Sequence, residues 1–216
     1  MTLTVVLIVA AYLAGSIPTA YLTGRWLRGR DLRRYGTGTI SASIVWEHAA
    51  RWATVPVGLF DIAKAALPTW LALRWGLSTT AAVLVGVAAI VGHNWSVFLR
   101  FAGGRGVSPF LGVLAVMFPA GAVWMVALLG AGWLLGDSTV WTLVGIVGVP
   151  VLSSVLGGSN AVLPLGVVML GLTVVKRIEA NGRPIPVDRR YVIVRRIFFD
   201  RDIRSHADWV GQTPDD

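Results

Sequence analysis

Long apolar runs divided by short polar stretches set the pattern of this chain. Several runs approach or exceed the roughly 20 residues of helix that cover a bilayer's hydrocarbon. The first, Thr2 to Leu22, contains Gly15-Ser16-Ile17-Pro18. Small residues there permit close helix packing, and Ser16 is placed to satisfy backbone groups that Pro18 frees. Arg25 to Arg51 is polar. A second run covers Trp52 to Trp75 and a third Ser78 to Leu99. Val107 to Leu135 reads either as one long tilted helix or as two elements broken near Pro119. Thr139 to Val175 is interrupted by Gly157-Gly158-Ser159-Asn160 and Pro164, which fits one crossing plus a re-entrant piece or two short crossings. The pattern predicts an all-α, polytopic integral membrane helix bundle with five to seven membrane-crossing helices.

Composition agrees. Of 216 residues, 55% are hydrophobic and 14% charged, against about 25% charged in soluble domains. There is no cysteine, so disulfides are excluded. The N-terminus lacks a positively charged n-region, so a cleaved signal peptide is not expected. No internal repeat is evident. Net charge is +8, and Lys64 and Lys176 are the only lysines among 19 basic residues. In a chain committed to lipid, that excess points to anionic lipid or substrate rather than to nucleic acid.

Charge also orients the runs. The Arg25–Arg51 loop carries Arg25, Arg28, Arg30, Arg33, Arg34 and Arg51 against Asp31 and Glu47. The Arg100–Arg105 loop and the segment from Lys176 onward are basic too. The other connections hold only Arg74 and Asp137. The positive-inside rule then places the N-terminus outside, the basic loops and C-terminus in the cytoplasm, and Asp137 on the outer side. The tail from Lys176 to Asp216 is not a span. Its Tyr191–Phe199 stretch reads either as a segment lying in the headgroup region with snorkelling arginines or as a small strand-like extension.

Candidate chemistry gathers in three of the basic segments. Gly103, Gly104 and Gly106 surround Arg105, a tight turn able to aim several N–H groups and one fixed charge at an anion. A helix starting near Val107 adds its positive end. Gly36-Thr37-Gly38-Thr39 offers further N–H groups and two hydroxyls. Lys176-Arg177 and Asn181 form the third segment. Inside the second run, Asp61 and Lys64 share a helix face at i, i+3, an intramembrane ionisable pair that marks function or pins two helices. His93 ends the third run as a general base, a phosphate ligand or a packing residue. A site built from these segments faces phosphate-bearing substrate from the cytosol and an acyl chain from the bilayer.

The carrying residues are Ala11-Tyr12-Leu13-Ala14-Gly15-Ser16-Ile17-Pro18, Asp31-Leu32-Arg33, Gly36-Thr37-Gly38 and Asp61-Ile62-Ala63-Lys64-Ala65. Val91-Gly92-His93 through Phe101-Ala102-Gly103-Gly104-Arg105-Gly106-Val107 is the most specific stretch. In these the chain resembles the PlsY-type acyl-phosphate:glycerol-3-phosphate acyltransferases of bacteria. The resemblance implies a membrane acyltransferase domain over residues 1–181 and a cytoplasmic extension over 182–216, in the bacterial inner membrane. It implies transfer of a fatty acyl group from acyl phosphate to the 1-hydroxyl of glycerol 3-phosphate, giving lysophosphatidic acid, with no metal and no cofactor. His93, Thr37 and Arg105 take the catalytic places. Gly36, Gly38, Gly103, Gly104, Gly106, Asn181, Asp61 and Lys64 take the substrate- and phosphate-binding ones.

The match has departures. Thr39 and Ile44 replace amide side chains, and Glu47 stands where the family has an arginine. Ala102 and Arg105 replace lysines, Ile178 replaces a histidine, and the family's serine in the fifth span has no clear counterpart near Gly145–Gly148. Glu47 is expected to pair with Arg51, four residues on. None of His48, His93 and His206 has an aspartate five positions later, which excludes the His-x4-Asp acyltransferases. Two other readings stand beside the first: a catalytically degenerate relative that binds phosphate-bearing lipid or a partner enzyme, and a small transporter.

Overall fold

Pro18 lacks the amide hydrogen that a helix interior needs, and the first apolar run breaks there into α1 (Thr2–Ser16) and α2 (Thr19–Arg28). Gly29 ends α2 in the left-handed conformation, its N–H donating to the Arg25 carbonyl at 3.0 Å. The structure, a computed structural model, describes residues 2–36, 38–182 and 189–202. The polar loop contains a 3₁₀ turn (Leu32–Arg34), α3 (Ala42–His48) and a second 3₁₀ turn (Arg51–Ala53). Then come α4 (Thr54–Arg74), α5 (Thr79–Asn94), α6 (Val107–Met117), α7 (Pro119–Leu134), α8 (Ser138–Val155), α9 (Val162–Glu179) and α10 (Arg189–Phe199).

The all-helical bundle is as expected, but the number of crossings is corrected. Among the described residues four segments are long and apolar enough to cross a membrane, not five to seven: Thr2–Arg28, Arg51–Arg74, Thr79–Leu99 and Ser138–Val155. The Val107–Leu135 run breaks at Phe118–Pro119 into helices of 11 and 16 residues, each short of the roughly 20 that a span needs. α9 carries Lys176, Arg177 and Glu179 in its last turns.

Glycines set the tightest packing. A Cβ on Gly15 or Gly92 would collide with the Ala89 or Tyr12 carbonyl, so α1 and α5 approach backbone to backbone. Gly112 brings α6 equally close to the Ile62 carbonyl of α4. The main core joins Ala11, Ala89, Phe110, Val113, Met125, Ile146, Val149 and Met169. A smaller cluster of Leu32, Ile40, Val45, Val57 and Leu99 lies under the loops. Val5, Val9, Leu59, Val123, Val151 and Val167 point outward and stay exposed, as lipid-facing positions do.

Asp137 is a second correction. It lies at the same end of the bundle as Arg105, not the opposite one. Arg201 reaches Asp137 at 3.4 Å, and its neighbour Asp200 pairs with Arg105. The break at Pro119 is the reason: α7 folds back along α8 instead of extending α6. The Tyr191–Phe199 stretch is helical, which removes the strand-like reading. α10 packs on α8 and α9, burying Val192 and Arg196 and exposing Tyr191, Val194 and Phe198.

Candidate active site

The break at Pro18 leaves two opposed helix ends inside the protein, and the Asp61–Lys64 pair serves both. Lys64 Nζ donates to the Ile17 carbonyl at 3.0 Å, at the negative end of α1. Thr19 Oγ1 donates to Asp61 Oδ1 at 2.6 Å, at the positive end of α2. The two charges lie 2.8 Å apart and are almost wholly buried. Each ion therefore has a partner and a favourable helix end. Ser96 Oγ takes up the Ser16 carbonyl at 2.6 Å, and Ser16 Oγ donates to the Tyr12 carbonyl at 2.8 Å.

His93 is buried at the end of α5, its Nδ1 3.8 Å from Asp61 Oδ1. Its Nε2 faces the glycine-rich loop closely enough that a Cβ on Gly104 would collide with it. The same Cβ would meet the Ile40 carbonyl at 2.8 Å. The loop is held by Gly104 N–H donating to the His93 carbonyl at 3.0 Å and Ile40 N–H to the Gly103 carbonyl at 3.1 Å. A narrow cavity lined by Pro18, Ile40, Lys64, His93, Ser96 and Gly103 opens beside it.

Asn181 joins the two glycine-rich turns. Its Nδ2 donates to the carbonyls of Gly38 (2.9 Å) and Gly103 (3.2 Å), and its Oδ1 accepts from the Gly103 N–H (3.0 Å). Asn181 is left-handed at φ 53, a conformation asparagine visits more readily than most residues. Gly36 and Gly38, at φ 49 and 70, need the same freedom. Thr37 lies outside the described residues.

Arg105 is engaged by the C-terminal segment and by α9. Its Nε donates to Asp200 Oδ2 at 2.9 Å, its second guanidinium nitrogen lies 2.5 Å from Asp200 Oδ1, and its third donates to the Lys176 carbonyl at 2.6 Å. Gly106, left-handed at φ 76, caps α6 behind it. Arg196 is fully buried and pairs with Asp202 through two contacts at 2.6 and 2.8 Å, while donating to the Ile178 carbonyl at 2.9 Å.

The expected Glu47–Arg51 pair is absent among the described contacts. Glu47 is exposed, and Arg51 instead stacks on Trp46, 5.4 Å from the ring centroid. In the same polar loop, the Arg33 guanidinium bonded to Asp31 holds that carboxyl below its ordinary value. Burial pushes the His48 imidazole, stacked on Tyr35, below its own.

The structure thus brings His93, Asp61, Lys64, Gly38, Gly103, Gly104 and Asn181 together, and turns Arg105 toward the C-terminal segment. Sequence reasoning missed Thr19, Ser96, Asp200 and Asp202. The one available signal was two aspartates following the Arg195-Arg196 pair.

Backbone-rich loops pinned at one end of a polytopic membrane bundle, over a buried histidine, define the class of this protein. The sequence profile of the family described as glycerol-3-phosphate acyltransferase matches residues 5–185. Glycerol-3-phosphate acyltransferase 5 of Dehalococcoides mccartyi is 35% identical, over 96% of this chain and 93% of that protein. Glycerol-3-phosphate acyltransferase 4 from another strain of that species is 36% identical over the same shares. The chain belongs to the glycerol-3-phosphate acyltransferase family. Its fold is that of the crystal structure of PlsY, an integral membrane glycerol 3-phosphate acyltransferase in its glycerol 3-phosphate form. The TM-score is 0.76 at 24% identity, covering 97% of this chain and 99% of that one.

Proposed function

We propose that the protein transfers a fatty acyl group from acyl phosphate to the 1-hydroxyl of glycerol 3-phosphate, releasing lysophosphatidic acid and phosphate. Family membership supplies the reaction class. The observation that carries the site is the Asn181 bridge, which sets the turn at Gly36–Gly38 against the loop at Gly103–Gly106. The N–H groups of Gly38, Gly103 and Gly104 are engaged within the loops, and the arrangement suits a phosphate group held at the start of α6.

An acyl phosphate is a mixed anhydride, so the chemistry asks for no protein nucleophile. The hydroxyl oxygen of glycerol 3-phosphate attacks the acyl carbon, the bond to the phosphate oxygen breaks, and the departing phosphate takes the hydroxyl proton. Positioning and charge stabilisation then supply most of the rate. In this reading His93, beside the Asp61–Lys64 pair, contacts the reacting centre. Thr37, Gly36 and the start of α6 at Gly106 hold phosphate, Gly38, Gly103 and Gly104 shape the two loops around it, and Arg105 adds charge. Asp61 and Lys64 keep the broken helix in place, and Asn181 sets the distance between the loops. The basic end of the bundle faces the cytoplasm of a bacterial cell and the start of α1 lies outside the inner membrane, with α9, which is not among the four crossing-length segments, returning the chain from the far end of α8 to the basic end. Residues 1–181 form the enzyme, and the segment from 182 on is a cytoplasmic extension.

The second reading, a degenerate relative that binds but does not transfer, is favoured by Ile178 and by the exposed Glu47 at family motif positions. The His93→Ala variant separates the two. In the enzyme, transfer from palmitoyl phosphate falls at least about a hundredfold, the scale of a lost acid–base or positioning group, while the protein stays folded. A parent with no transfer supports the degenerate relative.

A further inference from the structure

The C-terminal segment places a carboxylate on the arginine of the glycine-rich loop, through one hydrogen bond from Nε and a second close ion contact, on an edge that guanidinium also offers phosphate. We propose that Asp200 is an affinity-setting residue: its carboxylate occupies the phosphate seat on Arg105, and a phosphate-bearing substrate binds there by displacing it. The inference rests on Arg105 being a phosphate-binding residue of the proposed reaction.

Three observations support it. Arg105 is buried, so its charge needs a partner at all times. Its third guanidinium nitrogen is fixed on the Lys176 carbonyl, which leaves the edge facing Asp200 as the one an incoming anion would contest. Asp200 is also detachable. It follows the last turn of α10 at a left-handed φ of 53, with its side chain 20% exposed. α10 does not depend on it, because Arg196 bonds to Asp202 and to the Ile178 carbonyl, and Arg177 bonds to the Ile197 carbonyl at 2.6 Å. The carboxylate can leave Arg105 while the helix stays docked.

A seat occupied about nine-tenths of the time weakens apparent substrate affinity about tenfold. Asp200→Asn removes the charge and keeps a residue that tolerates the left-handed backbone. Measured on the full-length protein in proteoliposomes, Asp200→Asn should lower the KM for glycerol 3-phosphate about tenfold. It should lower the inhibition constant of inorganic phosphate in parallel, with a much smaller change in kcat. Asp200→Gly, which adopts positive φ freely, should do the same and covers the case in which the asparagine variant fails to fold. Arg105→Ala should raise KM, and Asp200→Asn added to it should change nothing further. If Arg105→Ala raises KM but neither Asp200 variant lowers it, the inference is overturned and the phosphate role of Arg105 stands. If Arg105→Ala leaves KM unchanged, Arg105 does not bind phosphate and the inference falls with that reading.

Discussion

Asn181 and Gly103 exchange two hydrogen bonds, one from the Gly103 N–H to Oδ1 at 3.0 Å and one from Nδ2 to the Gly103 carbonyl at 3.2 Å. The remaining amide hydrogen goes to the Gly38 carbonyl. One side chain thus spends its whole donor capacity on two loops far apart in sequence. Asn181→Ala takes the partner from the Gly103 N–H and the Gly38 carbonyl, at roughly 1–3 kcal/mol for each buried group, while the Gly103 carbonyl keeps the Ile40 N–H, and it adds strain at a left-handed position. The expected outcome is a lower melting temperature in detergent and a fall of at least about tenfold in kcat/KM, a change of some 1.4 kcal/mol in transition-state stabilisation. Unchanged kinetics would show that the loops keep their spacing without the bridge.

Gly104 and Gly130 make a matched pair. A Cβ on Gly104 collides with His93 Nε2 and the Ile40 carbonyl, whereas a Cβ on Gly130, inside α7, meets nothing within 4 Å. Gly104→Ala should sharply reduce acyl transfer by displacing His93 or the loop. Gly130→Ala should leave transfer intact and stabilise the helix by up to about 1 kcal/mol. Activity and thermal unfolding of both variants check this, and an active Gly104→Ala would mean that His93 need not face the loop.

The buried pair predicts a non-additive result. Lys64→Met leaves Asp61 charged and uncompensated beside α2, and strips the Ile17 carbonyl of its donor. Losing one partner of such a pair costs about 3–5 kcal/mol. The double variant Asp61→Asn with Lys64→Met should recover much of that stability. Chemical denaturation in detergent measures the coupling, and simple additivity would show that the pair does not act as a unit.

How far the sequence could be read follows from what each residue depends on. Hydrophobic run length is local, so the bundle and the start of α6 at Val107 were legible, whereas Pro18 was read as freeing backbone groups within one run and not as ending a helix. The fate of the Val107–Leu135 run was not. Whether a chain bends through or turns back at Pro119 depends on what α7 packs against, and that is α8. Asp137 was assigned to the wrong end for the same reason. At the site, glycines whose positive φ or close approach is needed stood out by type and spacing. The partner of Arg105 could not be read, because Asp200 lies 95 positions away. Glu47 and Arg51 have the right spacing on a helix, yet α3 ends at His48 and places them in different elements.

Orientation can be tested with single cysteines, since the chain has none of its own. Cysteines at exposed Arg30 and Ser138 should be protected together from a membrane-impermeant maleimide applied to intact cells, while one at Ser78, across α4 from the loops, should react. Labelling of position 138 but not 30 would contradict the placement of Asp137 beside Arg201.

The most direct test of acyl transfer uses the purified full-length protein in proteoliposomes with palmitoyl phosphate and radiolabelled glycerol 3-phosphate. The predicted result is lysophosphatidic acid and inorganic phosphate formed in equal amounts, neither appearing when glycerol 3-phosphate is omitted, and both lost in His93→Ala. Phosphate release without labelled lysophosphatidic acid, or neither product from a folded parent, would contradict the assignment.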